Sequence, residues 1–211
     1  MTQTYKHLDD LHRNYSQRRD AIRERLEDFH TVPPERYFYE LAYCIMTPQS
    51  SAANALQAQN MLERHNFQST EIDPAPLLHQ PEYYVRFHKT KSRRLVELKQ
   101  NFSEILSVVT NEQSPFTKRE WLAGNVKGLS YKEATHFLRN VGLNDTLAIL
   151  DRHIVKNLKR YGVIRTVTAA LTTKRYLSIE KKFQRFADTV GISVNELDLL
   201  FWSNETGEIL K

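Results

Sequence analysis

The sequence predicts an all-α protein, and three observations carry that prediction. Apolar residues recur at helical spacing in almost every segment, strand-like alternation is hard to find, and 211 residues contain only six glycines. With 40% apolar content the chain can bury a proper core, as one large domain or two small lobes. Thirty Lys plus Arg against 25 Asp plus Glu leave a net charge of +5, which favours a polyanionic partner. Cys44 is the only cysteine; disulfide frameworks, cysteine zinc sites and a four-cysteine iron–sulfur cluster are excluded. No stretch approaches the roughly 20 apolar residues of a membrane span, and residues 1–20 lack a signal-peptide core, so a cytosolic setting is expected.

The first helix is expected over Thr4 to Phe29, with Leu8, Leu11, Tyr15, Ile22, Leu26 and Phe29 on one face. Its other face carries Arg18, Arg19, Arg23 and Arg25, ordinarily a solvated surface. Val32-Pro33-Pro34 stops it. A second helix runs from Glu35 to Met46 and ends before Pro48; Ser50 or Ser51 then caps a third over residues 52–64. After a proline-containing loop, Ser92 is a candidate cap for a helix burying Leu95, Leu98, Phe102, Ile105 and Leu106. Just before it, Arg86, His88, Lys89, Lys91, Arg93 and Arg94 interleave with Tyr83, Tyr84 and Phe87. Basic and aromatic residues in a loop suit phosphate contact and base stacking, and cations at a helix start suggest a compensating anion.

Thr117 to Glu120 has the form of a capping box opening a short helix. The stretch 125–160 follows. Val126, Gly128, Leu129 and Ala134 mark two helices joined by a tight turn, whose exposed N–H groups would bind phosphate without reading sequence. Ala134, Phe137, Leu138 and Val141 form one apolar face, and Gly142 stops that helix. Lys132 sits at its start, off the apolar face. An amine is nucleophilic only when neutral, and a free lysine titrates near ~10.4, so a catalytic site must depress that value. Taken alone, such a lysine is ordinarily just exposed. Asp151 precedes a helix burying Ile154, Val155 and Leu158, where capping is the everyday role. A capping aspartate is also fixed and ionised, as wanted in a carboxylate that stabilises a sugar cation or orients an amine. Two further helices close the chain, one from about Lys174 to Val190 and one opened by Ser193 to Glu196.

The segments VKGLSYKEATHFLRNVG and LAILDRHIV closely resemble the helix-hairpin-helix DNA glycosylases with the Gly/Pro-rich loop and catalytic aspartate, and among them the type-2 8-oxoguanine DNA glycosylase/lyases. YFYELAYCIMTPQSSA, RFHKTKSRRLVELKQNF and ELDLLFWSNETGEILK extend the resemblance over Arg36 to Lys211. It implies a two-lobed helical fold in a single glycosylase domain, with the hairpin and catalytic segment at about 118–160 and DNA in the cleft. It makes Lys132 the nucleophile that attacks C1′ and Asp151 its assistant, through an imine intermediate and strand breakage by β-elimination. Lys211, with its carboxylate, and Trp202 would recognise the oxidised base. Lys127, Gly128 and Ser130 of the hairpin, with Lys89, Lys91 and Arg93, would hold the DNA backbone. Ser130 stands where the motif usually has a second glycine.

The resemblance implies a monomer acting on double-stranded DNA that contains oxidised guanine, with no membrane partner, no organic cofactor and no catalytic metal. A structural monovalent cation on hairpin carbonyls is compatible with the turn, although no residue type demands it. Two rivals stay open: a non-catalytic helix-hairpin-helix module that only holds DNA, and a related glycosylase for another damaged or mismatched base.

Overall fold

The computed structural model describes residues 4–166 and 171–209, which form two compact units. One comprises residues 1–31 and 138–211, the other residues 32–137. Among the described residues the helices are α1 (Leu8–His30), α2 (Tyr37–Met46), α3 (Ala52–Arg64), α4 (His88–Thr110), α5 (Pro115–Asn125), α6 (Tyr131–Asn140), α7 (Arg152–Arg160), α8 (Thr173–Val190) and α9 (Val194–Thr206). A minimal antiparallel ribbon pairs β1 (His79–Gln80) with β2 (Tyr83–Tyr84), a feature too short to give a period-2 signal. None of these helices is long and apolar enough to cross a membrane.

The unit of residues 32–137 is built around α2. All ten of its residues are buried, as expected of a helix that is apolar nearly all round. It packs against α3 and α4, with Phe38 set edge-on to Tyr39 and Phe102. Its one carboxylate, Glu40, accepts from Gln59 at 3.0 Å, so a group that is costly to bury has a partner. Residues 34–36 form a separate 3₁₀ turn after Pro33, so Glu35 and Arg36, expected to belong to α2, lie outside it. The helix α3 starts as predicted, with Ser51 accepting from the N–H of Asn54.

In the other unit α9 is central, with α1, α7 and α8 packed on it. Phe201 stacks on Tyr161 and Phe183 at centroid separations of 5.3 and 6.0 Å. The start of α1 is later than predicted, because His7 adopts a left-handed backbone and the Lys6 N–H donates to the Tyr161 carbonyl instead. Two arginines of its polar face are internal links rather than a free basic surface. Arg18 bonds Ser203 and Asn204, and Arg23 bonds Glu196 at 2.9 Å.

Glu196 belongs to the predicted capping box with Ser193 and also accepts from Tyr15 at 2.7 Å. Burial alone would raise its pKa, but hydrogen bonds from Tyr15, Arg23 and Ser193 outweigh that and hold it down at about 2. Because the folded value lies below the ordinary one of 4.5, the contribution is complete above about pH 4.5 and is lost as pH falls towards 2. Urea titrations from pH 7 to 3 should show wild type losing on the order of 2 kcal/mol more than Glu196→Gln, after discounting the exposed Arg23 partner. Parallel pH curves for the two proteins would remove this assignment.

Candidate functional site

The hairpin turn lies within residues 32–137. The helix α5 ends at Asn125, and the turn closes with the Leu129 N–H donating to the Val126 carbonyl at 3.1 Å. Gly128 occupies the turn at φ +100°, and a Cβ there would come within 2.9 Å of the Arg94 side chain. The positive φ is what calls for glycine here, since the long Arg94 side chain could move aside. Among the described residues nothing accepts from the N–H groups of Lys127 or Gly128. That is the arrangement a phosphate would use. Lys127 is exposed and pairs with Glu97 at 2.8 Å, a contact worth little in solvent.

Ser130 differs from its predicted role. Its N–H donates to Glu133 at 3.2 Å, and its hydroxyl donates to the same carboxylate. With the Ala134 N–H bonded to the Ser130 carbonyl, this is the cap of α6. The serine that replaces the expected glycine thus closes the helix start and spends both donors inside the protein rather than on DNA.

Lys132 follows in the first turn of α6, its side chain 22% exposed. Its nearest recorded carboxylate oxygen, on Glu133, is 3.6 Å away, beyond hydrogen-bond length. The amine is therefore partly exposed and held by an ion pair to Glu133 without a hydrogen bond. The buried lysines nearby are different. Lys118 is buried in α5, and burial pushes its pKa down. Lys91 is only 2% exposed and donates to the carbonyls of Met46 and Pro48 at 2.6 and 2.7 Å and to the Ser50 hydroxyl at 3.1 Å. Burial, followed by Arg94, lowers its pKa to about 8 despite Glu133.

Lys91 was expected to contact the DNA backbone, and it does not face solvent. Its three N–H donors are all consumed internally. Lys89 and Arg93 are exposed, as a phosphate contact requires, but they lie inside α4 and not in a preceding loop. The helix begins at His88 after a left-handed Phe87 without a side-chain cap, and Ser92 is an interior residue. Similarly, α5 begins at Pro115 with Ser114 as its cap, three positions before the predicted box. Proline suits the first helical position, which the TKRE pattern masked.

Asp151 and Trp202 lie in the other unit. The Asp151 Oδ1 accepts from the N–H groups of His153 and Ile154, both at 2.8 Å, so the residue caps α7 as its position predicted. Among the described residues no partner takes Oδ2. One oxygen fixes the carboxylate and the other stays available. The run leading to Asp151 is held by side chains that the sequence reading missed. Glu180 accepts the Ala148 N–H at 2.8 Å, Tyr176 receives the Leu150 N–H at 3.2 Å, and Asn144 braces Thr146 and Leu147. A glutamate on the buried face of α8, four positions after Tyr176, was the available signal. Gly142 is required by the same run. It stands at φ +67°, and a Cβ would lie 2.6 Å from the His30 backbone. Trp202 is half-buried on α9. Lys211 lies outside the described residues.

Among the described residues no cluster of three or more His, Cys, Asp or Glu side chains could hold a metal. The described residues supply a partly exposed amine, a fixed carboxylate and a phosphate-suited turn. A family model described as 8-oxoguanine DNA glycosylase matches residues 22–192. The chain belongs to the 8-oxoguanine DNA glycosylase family. The 8-oxoguanine DNA glycosylase/AP lyase of Fusobacterium nucleatum is 37% identical, with 98% of each chain covered. That of Korarchaeum cryptofilum is 34% identical, covering 92% of this chain and 91% of the relative. The crystal structure of the 8-oxoguanine DNA glycosylase of Thermotoga maritima is similar with a TM-score of 0.84 at 30% identity, over 97% of this chain and 98% of that one. A Methanocaldococcus jannaschii 8-oxoguanine glycosylase/lyase in complex with a 15mer DNA containing 8-oxoguanine matches with a TM-score of 0.82 at 30% identity, over 95% and 99%. The mostly helical fold of this chain is thus that of the family.

Proposed function

We propose that this protein is a bifunctional DNA glycosylase/AP lyase that excises 8-oxoguanine from duplex DNA and nicks the strand. The observation that carries the reading is Lys132, an accessible amine with no close hydrogen bond, one turn after a glycine hairpin whose N–H groups suit a phosphate. In its neutral form the Lys132 Nζ attacks C1′ of the extruded nucleotide, and the C1′–N bond breaks as the base departs with its electron pair and takes a proton. The sugar ring then opens to a protonated imine on Nζ. Loss of a proton from C2′ expels the 3′ oxygen, which cuts the strand. The Oδ2 of Asp151 supplies negative charge for the sugar cation that develops, from a carboxylate already fixed by its bonds to α7.

On this reading Lys127 and Gly128 grip phosphate, Lys89 and Arg93 add surface charge, and Trp202 and Lys211 read the oxidised base. The protein acts as a monomer, and the chemistry needs no organic cofactor. Names of relatives that cover nearly the whole chain support the same substrate. The test is single-turnover excision by the full chain on duplexes carrying 8-oxoguanine, an oxidised pyrimidine or a mismatched adenine. Excision with strand incision should be confined largely to 8-oxoguanine. Removing Lys211 should slow that substrate by about tenfold or more, as losing hydrogen-bond readout does. Equal rates across the panel, or activity on another lesion alone, would overturn the assignment.

A further inference from the structure

Two exposed tips in the unit of residues 32–137 share one buried anchor. The first is the turn Thr47 to Ser50, closed by the Ser50 N–H to the Thr47 carbonyl at 3.0 Å. Pro48 suits its second position, but Gln49 stands at φ 58°, where such a turn usually has glycine. The second tip is Arg86 and Phe87. Phe87 has φ 61°, its residue is 49% exposed, and the Arg86 guanidinium lies 5.0 Å over its ring. A left-handed backbone costs a non-glycine residue on the order of 1 kcal/mol, so the surroundings must hold both tips in place.

The anchor is Lys91. Its ammonium spans the carbonyls of Met46 and Pro48, the last turn of α2 and the middle of the first tip. It also bonds the Ser50 hydroxyl, and that oxygen receives the Arg86 N–H at 2.9 Å. One hydroxyl therefore joins the two tips, and one ammonium fixes that hydroxyl. Burying a cation is costly, and a cation at a helix C-terminus recovers only part of that cost. Its retention here calls for a geometric reason.

An enzyme that extrudes a nucleotide must hold the stack open. Exposed apolar side chains that enter between base steps are a common means. We propose that Lys91 is a positioning residue that locks the Gln49 turn and the Arg86–Phe87 tip into one rigid element, which enters the duplex as the lesion leaves it. The proposal rests on the glycosylase reading above. Lys91 itself touches neither phosphate nor base; it acts through the two tips.

The test compares single-turnover excision of 8-oxoguanine from a fully paired duplex with excision from a bubble where the lesion and its neighbours are already unpaired. Lys91→Met should be slower on the paired duplex by about tenfold or more, yet within about threefold of wild type on the bubble, since only the paired substrate needs opening. Ser50→Ala, which cuts the link between the tips, should show the same selectivity in milder form. Equal slowing on both substrates, as general destabilisation gives, or no slowing on either, overturns the proposal. If thermal melting shows that Lys91→Met fails to fold, an unchanged paired-to-bubble ratio for Ser50→Ala overturns it instead. Failure of the wild type itself on the paired duplex would count against the glycosylase reading, not against the anchor.

Discussion

Lys132→Gln is expected to lose borohydride trapping on 8-oxoguanine DNA, with excision and incision falling by about 10³-fold or more, as for removal of a covalent nucleophile. The fold should be kept, because glutamine keeps most of the aliphatic stem and the amine it replaces makes no hydrogen bond. A stability change within about 0.5 kcal/mol is expected. DNA affinity should change little, since the turn at Lys127 and Gly128 is untouched. The measurement is a sodium borohydride crosslink read on a denaturing gel, with affinity and melting determined on the same preparation. Crosslinking by Lys132→Gln at the wild-type level would assign the nucleophile elsewhere.

The competing amines are already weakened as candidates by geometry. Lys91 has the lowered pKa expected of a nucleophile, about 8, and on acidity alone it would be chosen. Its burial and its three internal hydrogen bonds decide against it, because a nucleophile must present its lone pair to C1′. Lys91→Met should therefore still crosslink. Acidity reflects what surrounds a group, and access determines what it can attack.

The same contrast explains what the sequence made legible. The helices were readable because burial on one face imposes a 3.6-residue period, which is why Leu95, Leu98, Phe102 and Ile105 marked α4 correctly. The start of α4 was not readable. A serine at position 92 is a good cap in isolation, whereas the real start depends on Phe87 adopting a left-handed backbone, which no local pattern announces. The helix-start positions of Lys132 and Asp151 were legible, whereas their catalytic roles came only from the family resemblance. Lys91 was misread, because a basic residue among basic neighbours gives no sign of turning inward to carbonyls some 40 positions earlier in the chain. Ser130 was misread for a related reason: its partner Glu133 supplies a local cap, and the comparison with a glycine motif drew attention to phosphate instead.

Asp151→Asn separates the two roles of the carboxylate, and the expected results point in opposite directions. As a cap, asparagine is about as good as aspartate, and its side-chain oxygen can still accept from the His153 and Ile154 N–H groups. Losing the charge at the start of α7 should cost only about 0.3–1 kcal/mol. In the reaction, however, the neutral amide cannot stabilise a developing sugar cation, and excision should fall by about 10²-fold or more. Asp151→Ala supplies the complementary case. It removes cap and charge together and should add a stability loss of about 1 kcal/mol to a similar catalytic defect. Melting temperature and single-turnover rate, measured for all three proteins, therefore form a two-way comparison. If the rate follows stability, with asparagine nearly as active as wild type, Asp151 is only a helix cap and the free Oδ2 has no part in catalysis. If the rate follows charge while stability follows hydrogen bonding, one oxygen builds the helix and the other serves the reaction.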